Sequence, residues 1–358
     1  MRAEHNSTRL RCRCLAILAC LCLVLSAAAT AAAEAQQKPA SSQAPQTMQT
    51  WTDDKGRVRK VPWPPRKIVV IGGSRSPLEM ICALGKTDMI KSRAEWSMWP
   101  PAMAKIPSIG RRPQINMELL LRCKPDFVIA NSLFQQNIGH IESVGIPVLI
   151  FEPMGLEETP PLIKKMGRLF NCPERARALS AYVSRYLNLL NERLKDLKPE
   201  QRPKVFMGRG RQVYYPSFTK GYRGVVEYAG GRNIVNTLSS PYQAVSPEWL
   251  MEQNPDYLVI APSLRGWGFQ IPTKKIMQSF WNDVFHQPGV KILPLSKQDH
   301  LLLVDGRLCW GLRAFIGALY MAKKFHPSLF GDIDPTEVHR DFLKRFFNLE
   351  LQGDYVYP

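Results

Sequence analysis

The feature that most restricts the fold is a repeat. Ile115–Ala130 aligns without gaps on Val245–Ile260 at a constant offset of 130, with 4 identities and 6 close substitutions over 16 positions. Each copy reads the same way: an N-cap side chain (Asn116, Ser246), a short helix with Glu118 or Glu248 near its start, a Pro-Asp turn and an apolar strand. A duplicated unit of this kind predicts two similar lobes. Between the copies lies Glu174–Leu197, where Leu179, Val183, Tyr186, Leu187, Leu190, Leu194 and Leu197 recur at spacings of three and four. Pro173 suits the start of a helix and Pro199 stops it, so the pattern predicts about 24 residues of helix, roughly 36 Å. That is long enough to cross from one lobe to the other. Periodicity alone fits an ordinary packed helix within one domain equally well.

Short apolar runs at Lys67–Gly72, Phe127–Ala130, Val148–Phe151, Val205–Met207, Tyr257–Ala261, Ile292–Leu295 and Leu301–Val304 are mostly separated by helical patterns. Strands spaced by helices predict an α/β protein with mainly parallel sheets. Asp53–Arg57 is a turn signal that makes a small hairpin ahead of the first buried strand. Residues 34–50, EAQQKPASSQAPQTMQT, lack apolar periodicity and read as a flexible lead-in, with order expected from Trp51. The expected division is 51–172 for the first lobe, 173–198 for the connecting helix and 199–358 for the second lobe.

Arg2, Arg9, Arg11 and Arg13 precede an apolar run from Leu15 to Leu25 and then small residues ending Ala31-Ala32-Ala33. This reads as a cleavable secretory signal over residues 1–33. The apolar run is short beside the ~20 residues of a spanning helix. Ile17-Leu18-Ala19-Cys20 loosely resembles a lipoprotein cleavage box, but leaves almost no apolar run before the cut, which argues against a lipid anchor. The chain has 48 basic and 30 acidic residues; without residues 1–33 it keeps 44 and 29, a charge of +15. That excess admits an anionic ligand, nucleic acid or an acidic membrane surface as partner. Of 8 cysteines, 4 lie in the first 22 residues; Cys82, Cys123, Cys172 and Cys309 have spacings that match no zinc or redox motif and read as buried free thiols.

His140, His286, His300, His326 and His339 form no metal-ligand pattern, and His326 is expected at the surface or as a cap after a helix over Leu312–Phe325. Gly208-Arg209-Gly210 and Gly230-Gly231 are incomplete as dinucleotide loops and read as turns. No nucleophile elbow or phosphate loop is present, so an enzyme reading has only the fold class behind it. Prolines 62, 64 and 65 interrupt the basic run Arg57–Lys67, and export removes the usual target, which argues against nucleic acid.

The opening DDKGRVRKVPWPPRKIVVIG, ALGKTDMI, the paired Glu…Pro-Asp segments, EYAGGRNIV and the closing LRAFIGALYMAKKFHPSLF resemble the helical-backbone (class III, cobalamin and iron-siderophore type) solute-binding proteins of bacterial ABC importers. The resemblance spans about residues 51–350. It implies two Rossmann-like lobes joined by a single long helix, no catalysis and no resident cofactor. It also implies a periplasmic location, a small-molecule metal chelate as ligand, and a permease dimer of the inner membrane as partner. A monomer is expected.

In such a fold the ligand faces the loops at the carboxyl ends of the strands. Those loops carry Arg93, Trp96, Trp99, Arg112 and Phe134 in the first lobe, and Arg209, Arg211, Tyr214, Tyr215, Arg265, Trp267, Arg307 and Trp310 in the second. Guanidinium groups pair with anionic oxygens and aromatic rings lie flat on a chelate or macrocycle, so these residues form the expected ligand set. Tyr214 and Tyr215 are the first suspects for a direct bond to haem iron. Glu118 and Glu248 sit near helix starts, where the dipole alone favours an acid. The resemblance implies a second role, docking one carboxylate per lobe onto a two-fold permease.

Overall fold

The computed structural model describes Pro45–Pro358 apart from residues 73–76, 96, 112–113, 153–154, 211–213, 215, 217–223, 239–243, 263–271 and 292–299. The expected signal segment and the run Ile292–Leu295 therefore lie outside the described residues.

β1 (Thr47–Thr52) and β2 (Val58–Trp63) form the antiparallel hairpin, in a register that pairs Thr47 with Trp63. Order thus begins before Trp51, because the strand extends back through residues expected as lead-in. The Asp53 carboxylate closes the turn, accepting from the amides of Lys55 (2.9 Å) and Arg57 (3.0 Å), and also accepts from Ile150 N at 3.1 Å.

The first half continues through β3 (Ile68–Val70), α1 (Leu78–Ala83), β4 (Ile90–Arg93), the small pair β5 (Gly110–Arg111) and β6 (Gln114–Ile115), α2 (Met117–Cys123), β7 (Phe127–Ala130), α3 (Gln135–Ser143), β8 (Val148–Ile150) and α4 (Thr159–Leu169). Its four-stranded sheet has the order β4-β3-β7-β8, all parallel. α5 (Pro173–Leu194) follows. The second half comprises β9 (Lys204–Arg209), α6 (Val225–Tyr228), β10 (Arg232–Asn233), α7 (Pro247–Gln253), β11 (Tyr257–Ala261), α8 (Lys274–Phe285), β12 (Leu301–Val304), α9 (Ala314–Phe325), α10 (Pro327–Phe330), α11 (Pro335–Phe347) and β13 (Val356–Tyr357). Its sheet has the order β10-β9-β11-β12-β13, parallel except for β13. β9 runs through Gly208-Arg209, expected as a turn; the chain turns at Gly210, where φ is +82°.

Side chains alternate across both sheets, as pleating requires. Ile68, Val70, Phe127, Ile129 and Leu149 from the first sheet share one core with Val205, Met207, Val259, Leu302 and Val304 from the second. The opposite faces make separate cores, Val69, Val128 and Val148 in one half, Phe206, Leu258 and Leu303 in the other. The buried stripe of α5, including Leu179, Val183, Leu187 and Leu190, lies in the shared core. α5 touches α4 in the first half and α6 and α9 in the second, so it does brace both. At 22 residues it measures about 33 Å.

The repeat folds as a repeat. Asn116 Oδ1 accepts from Leu119 N at 2.8 Å, and Ser246 Oγ from Trp249 N at 3.2 Å. Both helices end on a left-handed residue, Lys124 (φ 45°) and Asn254 (φ 47°). Each Pro-Asp turn then clamps the central strand: Asp126 Oδ2 accepts from Lys67 N (2.9 Å) while its amide donates to Lys67 O (2.8 Å). Asp256 does the same with Lys204, at 2.7 and 2.8 Å.

His326 ends α9 as its C-cap residue, as expected, its amide donating to Ala322 O at 2.8 Å, but it is buried rather than at the surface: Nε2 lies 3.2 Å from Gly230 O, and Gly230 has φ +81° and no room for a Cβ against that imidazole. α11 adds to the connecting helix: it packs on α1 of the first half, and Tyr182 of α5 donates to Val338 O of α11 at 3.1 Å. Cys82, Cys123, Cys172 and Cys309 are all free; Cys82 and Cys309 are buried, Cys123 and Cys172 only half-buried. Burial pushes the Cys82 thiol up to about 12. Among the described residues no helix is long and apolar enough to cross a membrane.

Candidate functional site: the joint between the sheets and the duplicated helices

The carboxyl ends of the two sheets converge. β3 leads into α1, whose first turn carries Glu79; β12 leads through Asp305, Gly306 and Arg307 towards α9, capped by Arg313. Arg313 Nε donates to Glu79 Oε1 at 2.6 Å, its guanidinium carbon lies 3.7 Å from the Trp99 ring centre, and Nη1 reaches His339 Nε2 at 3.4 Å. Arg313 is 0% exposed. Beside it, Arg307 grips Asp305 through Nε (2.9 Å) and Nη2 (2.7 Å), and lies over Tyr355 at 5.1 Å. Burial raises the Glu79 carboxyl, a shift that Arg313 and then Arg307 oppose. Burial, with Arg313 and Arg307 nearby, drives the His339 imidazole down to about 2, so it is a neutral acceptor here.

The expected ligand residues divide accordingly. Trp96, Arg112, Arg211, Tyr215, Arg265 and Trp267 lie outside the described residues. Phe134 is wholly buried in the outer core of the first half, with Ile138 and Ile141. Arg93 is buried too, donating to the carbonyls of Met103 (2.7 Å), Ala94 (2.9 Å) and Glu95 (2.8 Å), so it holds its own loop together. Trp99 has one face under Arg313 and meets Phe347 of α11 edge-on at 4.7 Å. The Tyr214 hydroxyl donates to Pro288 O, and burial raises its pKa. Arg209 is exposed at the end of β9, Trp310 is half-buried over Gly306, and Arg307 keeps a partly exposed edge despite Asp305. These three remain at the carboxyl ends of the second sheet with surface to offer.

Sequence reasoning missed Glu79, Arg313 and His339. A usable signal existed: Arg313 is a lone charge in the otherwise apolar run LRAFIGALYM, and a buried charge requires a partner.

Glu118 and Glu248 are both exposed, and the burial sequence of Gln114–Leu120 is identical to that of Ala244–Leu250. The Glu248 carboxyl is held below its usual value, chiefly by its own amide and then by the Ser246 hydroxyl. Among the described residues no cluster of His, Cys, Asp and Glu could hold a metal ion.

Comparison with known proteins agrees with this architecture. A family profile described as periplasmic binding protein matches residues 69–292, from β3 past α8. The vitamin B12-binding protein of Yersinia pestis (strain Pestoides F) is 25% identical over 195 residues, 54% of this chain and 69% of its own length. The TroA-like periplasmic binding protein FepB from Veillonella parvula superposes with a TM-score of 0.71 at 20% identity, over 86% of this chain and 99% of that one. A periplasmic heme binding protein from Pseudomonas aeruginosa gives 0.60 at 23% identity, over 74% and 94%. With both sheets, the helix between them and the repeat inside or beside the matched span, the chain belongs to the periplasmic binding protein family.

Proposed function

We propose that the protein captures a metal chelate, an iron complex such as a ferric siderophore, in the crevice between the two carboxyl ends, and delivers it to an ABC permease dimer in the inner membrane. The observation that carries this reading is the convergence of both sheets' carboxyl ends on one joint, the place where such sheets take ligands. The basic charge of the chain and the exposed Arg209 suit an anionic solute. Residues 51–172 and 199–358 would be the two lobes and 173–198 the strut, with residues 1–33 removed on export to the periplasm. The protein would act as a monomer and carry out no catalysis; ATP hydrolysis belongs to another subunit. Glu118 and Glu248, one exposed carboxylate at the same place in each half, would dock on a two-fold partner.

Cobalamin is the second reading, favoured by the likeness to vitamin B12-binding proteins, and haem the third. Titration of the purified protein with a ferric catecholate siderophore, cyanocobalamin and haemin, followed by absorbance, separates them. One of the three should saturate at a single site per chain, more weakly in a variant with Arg209, Arg211 and Arg265 changed to Ala. Saturation by none would reject the proposal, and unchanged affinity in the variant would remove those arginines from the site.

A further inference from the structure

We propose that Glu79 and Arg313, with Trp99 laid over the guanidinium, are positioning residues that set the resting separation of the two halves and so the width of the crevice. The consequence for ligand capture rests on the reading above; the mechanical claim does not.

The local sequence gives Arg313 no reason to be where it is. A cation at a helix N-terminus faces the positive end of the dipole, and α9 would be better served by an acid or a neutral cap. Glu79, in contrast, sits in the first turn of α1, where the dipole welcomes a carboxylate. The pair is therefore favourable only across the joint. Among the described residues it is the sole ion pair that links the half before α5 to the half after it. Among the described residues Arg313 has no second carboxylate to fall back on, because Asp305 is engaged by Nε and Nη2 of Arg307.

Each member is fixed from behind. Trp99, which covers the guanidinium, is buttressed by Phe347 of α11. Arg175, near the start of α5, donates to Ala83 O at 2.7 Å and to Phe346 O at 2.9 Å, joining the carboxyl ends of α1 and α11. Opening the crevice about α5 must draw α1 and Trp99 off Arg313. A guanidinium stays charged, so that motion leaves a buried charge without its counter-ion until water arrives. The joint consequently resists small openings and favours one spacing.

The test reads the ligand-free protein. Spin labels on unnatural amino acids at Leu121 and Glu252, exposed positions on α2 and α7, report the separation of the halves by pulsed electron resonance. The wild type should give one narrow distribution. Glu79→Gln, which keeps the shape and removes the charge, should widen it at least two-fold and extend it to longer distances. The Glu79→Met, Arg313→Met double variant, which leaves no unpaired charge, and Trp99→Leu should do the same while circular dichroism shows them folded. An unchanged narrow distribution in any folded variant of the ion pair overturns the proposal. So does failure of all three variants to fold, since the group would then be a determinant of folding rather than of spacing. Loss of the proposed function would show separately, as absence of haemin, cyanocobalamin and siderophore binding in the wild type with the distances as expected.

Discussion

The duplicated helices and the joint between the sheets are built on opposite rules. α2 and α7 carry the same cap, the same exposed glutamate, the same left-handed ending and the same aspartate clamp, although only 4 of 16 residues are identical. The joint has no such symmetry: Glu79 comes from the first half, Arg313 and Asp305 from the second, and His339 from the returning helix α11. Each repeated helix keeps its glutamate exposed over a buried strand, and the likeness includes what the two present outward. The unrepeated region is buried, and its members are chosen to fit one another. A molecule made of two similar halves needs both, a surface that looks alike from each side and a seam that fixes how the sides meet.

That contrast should appear first in stability. Glu79→Met leaves the fully buried Arg313 guanidinium without its partner, and chemical denaturation should show a loss of about 3–5 kcal/mol, more than the Glu79→Met, Arg313→Met double variant. Equal losses would mean that packing, not charge, holds the seam. A smaller effect is expected in the repeat. Asp126→Ala and Asp256→Ala each leave a strand amide without its acceptor, at about 1–3 kcal/mol apiece. Costs that match within about 0.5 kcal/mol would support energetic equivalence of the two copies, and a large mismatch would show that the likeness is geometric only. Smaller still, Asn116→Ala and Ser246→Ala should each cost about 1 kcal/mol through loss of the cap.

The smallest effect on stability belongs to Glu118→Arg with Glu248→Arg, within about 0.5 kcal/mol because both side chains are exposed. Uptake by whole cells should nevertheless be abolished with ligand affinity intact. Weakened affinity would reject docking as their role.

The parts legible in the sequence were those carried by local pattern. Phe127–Ala130, Tyr257–Ala261 and Leu301–Val304 are strands at the boundaries their apolar runs mark, and the long helix begins at its proline. It ends at Leu194 rather than Leu197 because apolar periodicity does not mark where the hydrogen-bonding stops. The site was less legible. Arginine and aromatic residues near strand ends serve a ligand or a core with the same chemistry, and only packing decides: Phe134 and Arg93 face inward, Trp99 is committed to Arg313, and Tyr214 to a backbone carbonyl. The Glu79–Arg313 pair spans 234 residues of chain, a separation at which no local periodicity operates. The burial of His326 escaped for the same reason, since the carbonyl its imidazole meets belongs to Gly230, 96 residues away.

Under the proposed function, two alike halves hold a solute between them and leave it chemically unchanged. Native mass spectrometry of the protein recovered from its own periplasm is the decisive measurement. One metal-containing adduct per chain is expected, released on denaturation at the mass at which it was bound. Repeated recovery with no adduct from cells grown with the solute supplied, or release of a compound differing in mass from the one captured, would contradict it.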